Sequence, residues 1–150
     1  MPLRLTGPSA RTTAYWIATI LVALAFLSGG AAYLVQSDIP VEGMTALGYP
    51  TYFVGLLGAW KVLGSLAIVA PRLPVVKEWA YSGIAFDLTG AAVSHAVVGD
   101  PAHKAAVPLL LLGIAAASWA LRPASRRIDA ASVFTLHGWR LTSRAGTVRY

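Results

Sequence analysis

From Thr13 to Val35 the chain runs for about 23 residues without a charged side chain, the length of a helix that crosses a bilayer, roughly 20 residues. Three further apolar runs follow, Tyr49–Ala70, Trp79–Val98 and Ala105–Leu121. A backbone facing lipid must satisfy its own hydrogen bonds, so runs of this kind are helices or the strands of a closed barrel. The alternating pattern of a membrane barrel is absent. Short connections between consecutive helices make them antiparallel neighbours. The expected fold class is all-α: an integral membrane, up-down-up-down four-helix bundle with helices at about 13–35, 49–70, 79–98 and 105–121. The first run exceeds a signal-peptide core of about 7–15 residues, and Gln36-Ser37-Asp38 behind it is not a small-residue cleavage site, so it reads as a retained helix. Residues 1–12 and 124–150 read as polar tails on either side of the domain at 13–123, the second of them basic and flexible.

Composition agrees. Charged residues make up 12% of the chain, against about 25% in soluble domains. A chain of 150 residues leaves no room for a separate soluble catalytic domain, so any chemistry sits within the membrane region or its loops. The absence of cysteine removes disulfides, thiolate metal sites and iron–sulfur clusters. The net charge of +6 comes from arginines flanking the apolar runs. This predicts contact with anionic lipid headgroups, through Arg126, Arg127, Arg140, Arg144 and Arg149, and not nucleic acid. Arg4 and Arg11 precede the first run, Arg72 and Lys77 lie between the second and third, and Arg122 opens the basic C-terminal stretch. The first connection has no Lys or Arg and the third only Lys104. By the positive-inside rule both termini are cytoplasmic, in a multi-pass protein of the cell (inner) membrane.

Two ionisable residues fall deep inside the runs. Lys61 and Asp87 each lie roughly 12–14 Å from the inner boundary at 1.5 Å per residue, on helices joined by a short turn. Each alone would cost about 2.5–3.5 kcal/mol at the bilayer centre, so the spacing predicts an ion pair. Gly58, Gly64 and Ser65 share the Lys61 face; Gly83, Gly90, Ala91 and Ser94 share that of Asp87. Small residues permit close helix packing and equally leave room for a ligand, so the pair reads either as a helix lock or as part of a binding site. His95 is the only histidine within a run. It cannot hold haem by two histidines and makes a poor metal site, so no metal is expected; a hydrogen-bonding residue at the interface is the simpler reading, with proton handling open. Asp38, Glu42, Asp100 and His103 read as solvated loop groups. Gly29-Gly30 reads as a packing contact.

The segment LGYPTYFVGLLGAWKVLGSLAIVAPRLPVVKEWAYSGIAFDLTGAAVSHAVVGDP, with the helix ending SWALRP, resembles the DoxX-like family of small four-helix membrane proteins. The resemblance runs from about Tyr15 to Pro123. It rests on the LGYP entry, the GxxKxxG around Lys61, the KEWAYxGxxFD ending at Asp87 and the SHxxxGDP exit. Where the family commonly closes its first helix with G-x-x-K-L, this chain has Gly30-Ala31-Ala32-Tyr33-Leu34, so a site built on that lysine does not carry over. By position the resemblance implicates Lys61, Trp79, Asp87, Ser94, His95 and Asp100. The family takes its name from a membrane subunit of a thiosulfate:quinone oxidoreductase; other relatives are tied to oxidative-stress complexes or act as assembly chaperones.

Two functions remain open. One is a non-catalytic membrane subunit or assembly factor with a polypeptide partner or a second copy, a structural Lys61–Asp87 pair and no pocket; the sequence leans to this one, and away from an enzyme. The other is a redox-linked protein, as a quinone-linked oxidoreductase subunit, that holds a quinone or other lipophilic ligand between the second and third runs. It requires a cavity lined by Lys61, Asp87 and aromatics, with Ser65, Trp79, Ser94, His95 and Asp100 as accessory residues. No cofactor is evident from the residues themselves. A small transporter is a third class, which would require oligomers.

Overall fold

The structure, a computed structural model, describes residues 9–128. Among them are five α-helices: α1 Ala10–Leu34, α2 Asp38–Ala46, α3 Thr51–Val69, α4 Pro74–Val97 and α5 Ala102–Leu121, followed by a 3-10 turn at Ala124–Arg126. Three of them, α1, α3 and α5, are long and apolar enough to cross a membrane. α4 is as long but carries Lys77, Glu78 and Asp87.

Three helices end in the same way and two in another. α1, α2 and α4 finish in a residue with positive φ, Gln36 (49°), Gly48 (86°) and Gly99 (75°). Behind each, the chain turns back to bond the last turn: Ser37 N to Ala32 O, Tyr49 N to Met44 O and Asp100 N to His95 O. These are Schellman turns, which satisfy the helix's leftover carbonyls with backbone N–H groups. α3 and α5 run instead into Pro71 and Pro123, which have no N–H to give. Their carbonyls are met by cations. Lys77 Nζ donates to Ala67 O (2.8 Å), Ile68 O (3.1 Å) and Ala70 O, and Arg126 Nη1 to Ile68 O and Val69 O. At the end of α5, Arg127 donates to Arg122 O and Ala120 O, and Arg11 to Ala120 O. Positive charge at a helix C-terminus also complements the macrodipole.

The end of the molecule near both described termini differs from the sequence expectation in two respects. The third helix begins at Pro74 and not Trp79, so Lys77 is a fully buried group in its first turn (0% exposed), not a loop charge. The stretch after Pro123, expected to be a flexible tail, makes inward contacts as far as Arg127: Arg126 Nη1 also donates to Tyr15 Oη at 3.2 Å, and its guanidinium lies 4.5 Å from the Trp16 ring. Residues 129–150, with Arg140, Arg144 and Arg149, lie outside the described residues. At the other end the connection expected to be a plain loop contains α2.

The core joins Val22, Ala23 and Phe26 of α1 to Ile68 of α3, Tyr81, Ile84 and Leu88 of α4, and Ala115 of α5. α1 and α3 approach most closely where Gly30 faces Gly58. A Cβ on Gly30 would stand 2.9 Å from Gly58 O, and one on Gly58 2.8 Å from Tyr33 Cβ. Gly29 meets nothing, so the packing contact belongs to Gly30 alone. A buried hydroxyl chain ties α1, α4 and α5 together: Thr19 Oγ1 to Ser118 Oγ at 2.7 Å, and Ser118 Oγ to Tyr81 Oη at 2.7 Å. Large apolar side chains such as Ile17, Leu24, Leu63 and Leu110 face outward, as lipid-facing residues do.

Candidate functional site: a side-opening groove at the Lys61–Asp87 pair

α1 and α3 are held tightly by the glycine contact, while α3 and α4 diverge on the other side and leave a groove of about 510 Å³. Its wall is apolar, with Leu57, Leu63 and Ala67 from α3, Val76, Gly83 and Ile84 from α4, and Phe26 from α1 behind. Gly64 and Gly83 leave the width. Its charged side chains, among the described residues, are the two that lie deepest in the helices. Lys61 Nζ donates to Asp87 Oδ2 at 2.5 Å, with the side chains 16% and 12% exposed.

The pair sits among rings. Lys61 Nζ lies 4.6 Å from the centroid of Phe26 and 5.7 Å from that of Tyr33, so the ring faces share its charge with the carboxylate. Tyr33, near the end of α1, supplies one of these ring faces. Of the three ammonium protons only one is used by a hydrogen bond to a described residue, and Asp87 Oδ1 accepts none from the described residues. The pair therefore has donor and acceptor capacity to spare. Trp60, Trp79 and Phe86 form the rim, 64%, 74% and 77% exposed. The groove opens sideways, between helices, towards the surroundings of α3 and α4.

The accessory candidates separate into different places. Trp79 belongs to the groove. Ser65 is buried but donates to Val62 O of its own helix. Ser94 bonds Tyr49 Oη at 2.8 Å, beyond the groove. His95 and Asp100 meet each other, Nδ1 to Oδ2 at 2.7 Å, and Lys104 Nζ reaches Asp100 Oδ1 at 2.8 Å. The Schellman turn explains this: it folds Asp100 back over His95, which is the position a hydrophobic contact usually fills. The hydrogen bonds from Lys104 first, and then His95, hold the Asp100 carboxyl below its usual range. Among the described residues no group of three or more His, Asp and Glu side chains gathers into a metal-binding cluster.

Sequence reasoning missed the polar groups at the terminal end. Arg122 is 3% exposed, pairs with Glu78 through Nη2–Oε1 at 2.8 Å and lies 5.2 Å from the Tyr81 and Trp119 rings. Glu78 also accepts from Trp119 Nε1 at 2.8 Å. The available signal was Pro74: proline suits a helix's first position, and starting α4 there puts Lys77 in its first turn and Glu78 just after it, beside the ends of α3 and α5.

No curated protein and no solved structure matches the chain. A family model does, over residues 17–118, from within α1 to within α5, which takes in the glycine crossing and the paired Lys61 and Asp87. The chain is a membrane protein that belongs to the DoxX-like family.

Proposed function

We propose that the protein crosses the cell (inner) membrane four times as an up-down-up-down bundle, with both termini cytoplasmic, and that the groove between α3 and α4 holds a lipophilic molecule by a polar head. A quinone and its quinol form represent the class. The observation that carries this reading is the groove itself: about 510 Å³, within the 300–1,000 Å³ of ordinary ligand pockets, apolar but for one ion pair with unused hydrogen-bonding capacity. The reading as a purely structural pair in a non-catalytic subunit has no use for such a space. The fourth span, α4, has 24 residues, about 36 Å of helix. Its charged side chains are all engaged: Lys77 with α3, Asp87 with Lys61, and Glu78 with Arg122. Arg11, Arg72, Arg122, Arg126 and Arg127 gather at one end, which supports placing that end in the cytoplasm. Those not bonded inward are available to anionic lipid. The chain has no cysteine, so a redox role would be that of a binding subunit beside a redox partner.

The test is fluorescence. Trp60 and Trp79 rim the groove, so a short-tailed quinone added to the protein in nanodiscs should quench tryptophan emission saturably. The Lys61→Met/Asp87→Leu double variant, with charge removed and helices intact, should lose the saturable component. Equal quenching in both proteins, with no saturation, would mean that the quinone merely dissolves in the lipid.

A further inference from the structure

The groove has a net charge of zero and lies at mid-depth, and together these restrict what it can take. We infer that its ligand has an uncharged head with at least one hydroxyl or amide N–H donor and one acceptor, and that phospholipids, fatty acids and alkylamines are excluded. The inference deepens the ligand-binding reading above and rests on it.

Three observations converge. First, Lys61 and Asp87 neutralise one another at 2.5 Å, and among the described residues no other ionised side chain lines the groove. An ionised head would find no net opposite charge. Second, Lys61 is eight residues from the end of α3 at Val69 and ten from its start at Thr51, about 12 and 15 Å of helix. A carboxylate, ammonium or phosphate would have to be carried that far from either surface without its water, which is costly for ions and much less so for a hydroxyl. Third, the pair offers both halves of a hydrogen-bonding exchange: ammonium protons on Lys61 and the Oδ1 of Asp87 that no described residue bonds. A head that only accepts, such as a ketone or ester, would meet Lys61 and leave the carboxylate oxygen unmatched. A hydroxyl or amide meets both. For a ligand that exists in carbonyl and hydroxyl forms, the groove therefore selects the hydroxyl form. The exposed rim of Trp60, Trp79 and Phe86 leaves the tail in lipid and the route of entry sideways from the bilayer.

The experiment uses probes with one tail and different heads. Radiolabelled hexadecan-1-ol is bound to the detergent-purified full chain and competed with methyl hexadecanoate, hexadecanoic acid and hexadecylamine at a pH where the last two are charged. The alcohol should bind saturably. The ester should compete at least about tenfold less well, as expected for the loss of one hydrogen bond to a charged group, and the two ions less well still. Asp87→Asn leaves the Lys61 ammonium unbalanced and should reverse the order, so that the acid becomes the best competitor. If the acid or the amine outcompetes the alcohol on the wild-type protein, the neutral-head inference is overturned while the groove remains a binding site. If no probe binds saturably, the groove reading fails and the inference with it. The wild-type ranking needs no variant to fold.

Discussion

Gly29 and Gly30 are adjacent in sequence, and the structure separates their consequences. A methyl group on Gly30 would stand 2.9 Å from Gly58 O and from Val62 Cγ2, and 3.0 Å from Lys61 Cβ. Carbon contacts are comfortable at about 3.5–4.0 Å, so α1 and α3 would have to part by roughly 0.5–1 Å. The obstacle includes backbone oxygen, which cannot rotate aside. Overpacking of this kind costs about 1–3 kcal/mol, offset by about 0.5–1 kcal/mol from replacing glycine inside a helix by alanine. Gly30→Ala should therefore destabilise, by up to about 2.5 kcal/mol. A methyl group on Gly29 meets nothing within 4 Å, so Gly29→Ala should be neutral or gain up to about 1 kcal/mol. Reversible unfolding in mixed detergent micelles, followed by circular dichroism, measures both. Because the Gly30 methyl group also presses on Lys61 Cβ, its variant should weaken ligand binding and the Gly29 variant should not. Equal stabilities for the two would refute the α1–α3 crossing at Gly30 and Gly58, and with it the placing of Lys61.

Two further predictions concern charged groups. Lys61→Met or Asp87→Leu alone should cost about 3 kcal/mol, the lower end for a buried pair, since neither side chain is fully enclosed; the double variant should recover much of that, and a double-mutant cycle in the same micelles that gave no coupling would mean that the residues do not interact. The Asp100 carboxyl is held below the ordinary 3.8, so its contacts stabilise the turn above that pH and are lost as pH falls through the lowered value; amide exchange at Gly99 and Asp100 should quicken below about pH 4 in the wild-type protein and show no such acid step in Asp100→Asn.

What the sequence made legible was whatever depends on position along a helix. Apolar run length located α1, α3, α4 and α5, and the depth of Lys61 and Asp87 followed from counting residues. What it left hidden depends on rotation about helix axes and on how ends are capped. Gly58 and Gly64 both flank Lys61, yet Gly58 is pressed against α1 while Gly64 gives width to the groove; the difference is which neighbour each faces, and that is fixed only when the helices pack. Ser65 shares a helix with Lys61 but turns its hydroxyl to its own backbone. Arg122 and Arg126 look like ordinary flanking charge in a linear reading, because the carbonyls that hold them, at Trp119, Ile68 and Val69, are exposed to donors only by Pro71 and Pro123. The SHxxxGDP exit was readable in principle: glycine at the end of a helix, with aspartate next, places Asp100 over His95 through the turn geometry alone.

The buried Lys77 has a consequence for how the protein is made. Its ammonium is satisfied by three carbonyls at the end of α3, and only the short turn from Ala70 to Leu73 separates the two helices. Presented to lipid on its own, α4 would carry an unmatched cation on one helix and α3 a set of bare carbonyls on the other, each costly in hydrocarbon. Joined, each removes the other's penalty. The α3–α4 hairpin is thus the smallest piece containing either of these two helices that meets both demands, and a ribosome-bound intermediate ending just after α3 should be retained at the insertion site until the Lys77 turn has emerged.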